Sequence, residues 1–147
     1  MTTRRVVSAS RIIAAPREAI FKVLATPALH PVIDGSGSVK APTDDPGTLF
    51  LGAKFGMAMK LGLGYKVQNT VSTFEEGRSI AWHHFAGFIW RYDLVDVEAG
   101  TEVTESFDYS NLLGVGLSLT AFPQNNLRNI EKTLGRLDHY VTTGSAE

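Results

Sequence analysis

The chain has no cysteine, which removes disulfides, thiolate metal sites and cysteine nucleophiles from consideration and fits a reducing compartment. Long apolar runs are missing as well. The least polar stretch, Leu112 to Phe122, falls well short of the roughly 20 residues that cross a bilayer. The opening MTTRRVVSAS carries two arginines with no apolar run behind them, so it does not read as a secretory signal. A cytoplasmic protein without stable membrane insertion is expected. Excess charge of one sign is also absent: 14 Lys and Arg stand against 15 Asp and Glu, for a net charge of -1. A nucleic-acid binder needs a basic surface, so no nucleic-acid partner is expected. His83 and His84 are adjacent and, on a strand, point to opposite faces. No other histidine spacing suits a metal. Gly62, Gly64, Gly114 and Gly116 lack the strand, helix and following Lys-Ser/Thr of a phosphate loop. No metal and no cofactor are expected. With no repeat or linker, the 147 residues read as a single domain over 1–147.

What is present is enough for a core, since hydrophobic residues make up 44% of the chain. Residues 5–14, RVVSASRIIA, are rich in β-branched side chains and predict a strand. Pro16 stands where a helix begins, with Glu18 in its first turn. Ile20, Phe21, Val23 and Leu24 give that helix one apolar face, and Pro27 stops it. A second short helix is expected over Ala28–Ile33, ending in the turn Asp34-Gly35-Ser36-Gly37. Residues 41–52, with two prolines, read as a loop. Strand segments near 53–60, 64–75, 79–85, 88–98 and 101–110 follow, separated by glycine-containing turns. That is the spacing of an antiparallel meander. After Pro123, the residues Leu127, Ile130, Leu134, Leu137 and Val141 recur at intervals of three and four, which predicts a helix with one buried stripe. A run of strands bounded by helices means an α+β fold and not a parallel α/β one.

Particular residues give this order a resemblance. Ile13-Ala14-Ala15-Pro16, Ala19-Ile20-Phe21, Pro27 and His30 come first, then Ile80-Ala81-Trp82 and Gly100-Thr101-Glu102-Val103-Thr104. Together they resemble the START-like helix-grip superfamily, which includes polyketide cyclases/dehydrases and lipid-transport proteins. The likeness covers nearly the whole chain. The Asp34–Gly37 turn and the Trp90-Arg91-Tyr92 strand look like a subgroup of uncharacterised members. The resemblance implies a curved antiparallel sheet of about seven strands wrapped around the long C-terminal helix, with two short helices after the first strand. It also implies that the first and last strands are neighbours and that ligands lie between sheet and helix. It transfers no catalytic residue, because most members of this kind have none established.

Strand alternation assigns the faces. Phe55, Met57 and Met59 share one face, and Lys54 and Lys60 the other. The methionines therefore point inward, either toward an adaptable apolar ligand or as plain core filling. Tyr65, Val67, Asn69 and Val71 form the inward face of the next strand, followed by Ile80, Trp82 and His84, then Trp90, Tyr92 and Leu94. The last strand contributes Val103, Glu105, Phe107 and Tyr109. Walls rich in Trp and Tyr suit a partly polar pocket or, equally, an aromatic core with a few internal waters. The helical side is expected to contribute Asp34, Asn126 and Ile130 to the same ligand wall. Glu105 is the odd member of its face, because a carboxylate among apolar side chains is costly unless paired. With Ile13 inward, Arg11 is inward too, and neighbouring first and last strands would let Arg11 pair with Glu105. The opposite phase, with Ser8, Ser10 and Ile12 inward, would remove that pair.

Among these residues His84 and Glu105 are the catalytic candidates, with Tyr65, Tyr109 and Asn126 as further polar groups. A histidine base is physically sensible near neutral pH, yet beside Trp82 and Phe85 it reads first as a wall residue. His30 and Asp34 flank the short helix at the expected rim, and Asp34 reads as a turn former that accepts backbone N–H bonds. The segment Asn111–Pro123 is either a gate over the mouth or a packed connector. The leading functional reading is binding or carriage of a small hydrophobic molecule, such as a lipid, polyketide or aromatic compound. The alternatives are a polyketide cyclase/dehydratase and a partner-binding domain whose cavity is filled by its own side chains. The oligomeric state is not written in the sequence.

Overall fold

A computed structural model describes residues 5–43, 47–83, 87–110, 116 and 118–145. Strand β1 (Val6–Ile13) leads into α1 (Arg17–Leu24), a 3-10 turn at Pro27–Leu29 and α2 (His30–Ile33). Then come β2 (Val39–Pro42), β3 (Lys54–Leu61), β4 (Leu63–Glu75), β5 (Ser79–His83), β6 (Ile89–Val97), β7 (Gly100–Asp108) and the long α3 (Phe122–Thr143). All seven strands join one antiparallel sheet in the order β1-β7-β6-β5-β4-β3-β2. The chain meanders from β2 to β7, and β1 pairs with the last strand. This is the helix-grip architecture that the resemblance implies: a curved open sheet with α3 against its concave face.

Strand β2 overlaps the start of the stretch 41–52 that reads as loop from composition, and begins two residues before it. It has four residues, ends in Pro42, and pairs with β3 across an irregularity between Val39 and Ala41. A proline without an N–H is tolerated there because the strand is at the sheet edge. Helix α1 buries Ile20, Phe21, Val23 and Leu24, as its spacing predicts. The stripe of α3 differs from the one expected. It runs through Asn126, Ile130, Thr133, Leu134 and Leu137, while Leu127 and Val141 are half-buried. Positions 126, 130, 133, 134 and 137 keep helical spacing, so polar side chains take part in a stripe that apolar periodicity traces only partly.

Two close approaches lock sheet and helices together. Gly35 lies so near α3 that a Cβ on it would stand 2.5 Å from the Lys132 Cβ. Its N–H donates to Thr133 Oγ1 at 2.8 Å. The neighbouring Asp34 carboxylate accepts the N–H groups of Ser36 at 3.1 Å and Val39 at 3.0 Å, which is the turn-forming role read from the sequence. At the other end Gly100, at φ +141°, would drive a Cβ to 2.2 Å from the Ile13 carbonyl. Thr101 beside it donates to the Ala15 carbonyl at 2.8 Å.

The expected Arg11–Glu105 pair does not form. The inward phase of β1 is right, since Ile13 is fully buried and Val7 and Ala9 pack on the core. The register, however, sets Arg11 opposite Val103 and Ala9 opposite Glu105. On this edge strand Arg11 reaches sideways to α3, where its Nε lies 2.7 Å from Asp138 Oδ2 with about half of the side chain exposed. Glu105 is left inside without a cation among the described residues.

Candidate functional site

Between the concave face of the sheet and the first half of α3 lies a pocket of about 680 Å³. The strands supply its wall in the pattern that alternation assigns. Met57 and Met59 come from β3, and Tyr65 stands on β4 with Val67 and Asn69. Trp82 projects from β5, Trp90 and Tyr92 from β6, and Glu105 and Phe107 from β7. Asn126 and Ile130 face them from α3, and Asp34 also lines the pocket. Tyr65 is 42% exposed, so it belongs to the mouth, as do Ser36 and Phe122. Tyr109 is buried but is not one of the lining residues; it stacks behind Phe107 with ring centroids 5.6 Å apart. His84, the other residue expected in the wall, lies outside the described residues, as does most of the segment 111–117.

Several lining residues were not singled out in advance. Asn125, Asn129 and Thr133 extend the polar face of α3 around Asn126. The available signal was this run of short polar side chains at helical spacing, placed ahead of Leu134 on the same face. Phe107 anchors an aromatic wall, with the Trp90 ring at 4.5 Å and the rings of Phe88 and Phe122 at 5.6 and 5.9 Å. Edge-on and tilted contacts at such distances hold rings in place beyond simple area burial.

His30 is not a rim residue. It is buried and stacks on Trp82 at 5.0 Å, and its Nε2–H donates to the Leu24 carbonyl at 2.8 Å. Burial lowers its pKa to about 4, against the smaller opposing effects of the Leu24 carbonyl and Asp34. It is therefore neutral at ordinary pH, and its ring is a flat wall element tied to the end of α1.

Glu105 behaves in the opposite sense. It is 3% exposed, and burial raises its carboxyl pKa to about 8, outweighing the hydrogen bond from Tyr92. The Tyr92 hydroxyl is pushed well above its usual range, first by burial and then by the neighbouring Glu105. Glu105 therefore holds its proton at neutral pH, which is how a buried acid without a cation avoids charge. Glu105 Oε1 and Asn126 Nδ2 are buried with no hydrogen-bond partner among the described residues. Among the described residues neither lysine nor arginine lines the pocket.

Among the described residues no helix is long and apolar enough to cross a membrane. An uncharacterized protein of Mycobacterium tuberculosis, Rv0088, is 35% identical over 95% of this chain and 66% of its own length. A second one from another strain, MT0096, is 34% identical with the same coverage. The chain thus spans just under two thirds of these relatives. Among solved structures, an AHSA1-like protein from Aeromonas hydrophila superposes with a TM-score of 0.71 at 19% identity, covering 97% of this chain and 96% of that one. Protein Ms6760 from Mycobacterium smegmatis gives 0.72 at 15% identity, covering 98% and 99%. At such identities the likeness carries the fold alone. Residues 4–142 match the family described as polyketide cyclase/dehydrase and lipid transport, and the chain belongs to that family.

Proposed function

We propose that the chain binds or carries a small, largely apolar molecule in the pocket between the sheet and the first half of α3. The observation that carries this reading is the pocket itself. Its volume of about 680 Å³ falls in the range of small-molecule sites, which are mostly apolar with a few placed polar groups. Met57 and Met59 supply adaptable walls, and Trp82, Trp90 and Phe107 supply rigid ones. Nile red, an uncharged fluorophore, tests the reading. Enhanced, blue-shifted emission that saturates at one dye per chain is expected, and dye is displaced by whatever lipid-like mass native mass spectrometry finds on the purified protein. Emission equal to that of free dye, with no bound mass, would reject it.

A cyclase or dehydratase reaction is the second reading. It is favoured by one observation, a carboxyl group buried in the pocket wall at Glu105, whose pKa burial pushes up to about 8, as suits a general acid. It requires turnover of a polyketide that falls at least a hundredfold in Glu105→Gln.

A further inference from the structure

Two side chains in the pocket have hydrogen-bonding atoms that nothing among the described residues meets. Glu105 and Asn126 are 3% and 7% exposed, they stand on opposite walls, β7 and α3, and both line the pocket. Buried polar atoms are normally satisfied, and leaving one unmet is costly. We propose that the pocket's ligand carries an uncharged oxygen function, such as a ketone, ester or alcohol, that is met by Glu105 and Asn126, and that anionic and cationic ligands are refused. The inference rests on the reading of the pocket as a ligand site.

The chemistry of the two groups selects the class. An amide Nδ2 can only donate, so its missing partner is an acceptor lone pair. Glu105 in its neutral form offers a second O–H donor, or an acceptor to an alcohol, while its hydrogen bond with Tyr92 steadies the carboxyl. An anion entering here finds no lysine or arginine among the described residues of the walls and faces the carboxyl groups of Asp34 and Glu105. A buried charge without a partner is strongly disfavoured. A cation would suit the aromatic rings, but it brings no acceptor for Asn126 and requires Glu105 to ionise in a site that favours its neutral form. An uncharged oxygen satisfies the orphan donor and asks for no change of charge.

Displacement of Nile red by octan-2-one, octan-1-ol, octanoate, octylammonium and octane reads the preference. In the unaltered protein the ketone and alcohol are expected to bind at least tenfold more tightly than octanoate or octylammonium. Because any charge is more stable in water than in an apolar pocket, the decisive reading is the ratio of octan-2-one affinity to octane affinity. That ratio is expected to fall at least tenfold in Asn126→Leu and in Glu105→Met, which sit on different elements, so one can be read if the other fails to fold. A ratio unchanged in the folded variants would overturn the proposal, as would octanoate or octylammonium binding as tightly as the ketone. Nile red binding with an unaltered ratio overturns this inference alone; no Nile red binding overturns the underlying reading with it.

Discussion

The space between the sheet and α3 is filled at one end and hollow at the other, although the same two elements bound both ends. Along β7, Thr101 and Val103 are fully buried against neighbours, whereas Glu105 and Phe107 line the pocket. Along α3, Leu134 and Leu137 pack with Ile13, Ile20 and Leu24 in the core, whereas Asn126, Asn129 and Ile130 face the pocket. The change falls within two turns of one helix and four residues of one strand. What differs is side-chain chemistry. Branched aliphatics from α1 and β1 fill the first end, while short amides on α3 and rigid rings on the sheet cannot close on each other at the second. A fold of this kind gains its stability at one end and keeps room at the other.

The largest expected effect lies at the filled end. Leu137→Ala should lower unfolding free energy by about 4 kcal/mol in urea titrations, the usual size for a buried leucine that leaves a cavity. A loss under about 1 kcal/mol would mean that this end is not tightly packed.

Next is the pH dependence of stability, in which two buried groups of the hollow end, Glu105 and His30, act in opposite senses. Glu105 has a folded pKa near 8 against 4.5 when exposed, so its contribution is complete below pH 4.5 and is lost as pH rises through 8. His30 has a folded pKa near 4 against 6.5, so its contribution is complete above pH 6.5 and is lost as pH falls through 4. Between pH 4.5 and 6.5 the two slopes cancel. From pH 6.5 to 8 only Glu105 acts, and stability should fall by about 2 kcal/mol, at roughly 1.4 kcal/mol per unit. Denaturant midpoints across this window should show the fall in the unaltered protein and a flat profile in Glu105→Gln. A slope that survives the substitution would assign it elsewhere.

Filling the hollow end should cost little. Val67→Trp combined with Met59→Trp adds bulk that a close-packed core would reject at about 1–3 kcal/mol per site. Here the pair should change stability by less than about 1 kcal/mol while weakening Nile red binding at least tenfold. A large loss of stability with unchanged dye binding would reverse the assignment of the two ends. The smallest effect is expected outside both. Arg11→Ala breaks the half-exposed pair with Asp138 and should cost under about 1 kcal/mol, shrinking further in high salt.

Much of this architecture was legible in the residues. Strand alternation assigned the inward side chains of β3 to β7, because a period of two has no intermediate state. It leaves two phases open for β1, of which the structure takes the one with Ile13 inward, and it cannot supply register. Whether Arg11 stands opposite Val103 or Glu105 depends on hydrogen bonding between strands far apart in sequence, and a shift of two residues leaves the faces unchanged. The short strand β2 escaped because its four residues include a proline that only an edge tolerates. Apolar periodicity traces the buried stripe of α3 through Leu127, whereas the helix turns Asn126, expected in the ligand wall, into the stripe itself. A hollow accepts an amide where a filled core would not, so the hydrophobic pattern is least informative at the very place where the pocket lies. His30 was misplaced for a related reason: its neutrality comes from burial against Trp82 and Phe55, which spacing along the chain does not reveal.

The most direct measurement is a set of intermolecular NOEs between bound octan-2-one and methyl-labelled protein. The ligand is predicted to show contacts to the Met57 and Met59 methyls and to Ile130, and none to Leu137. Contacts confined to exposed side chains such as Leu63 and Leu119, or equal contacts to Leu137, would contradict the account.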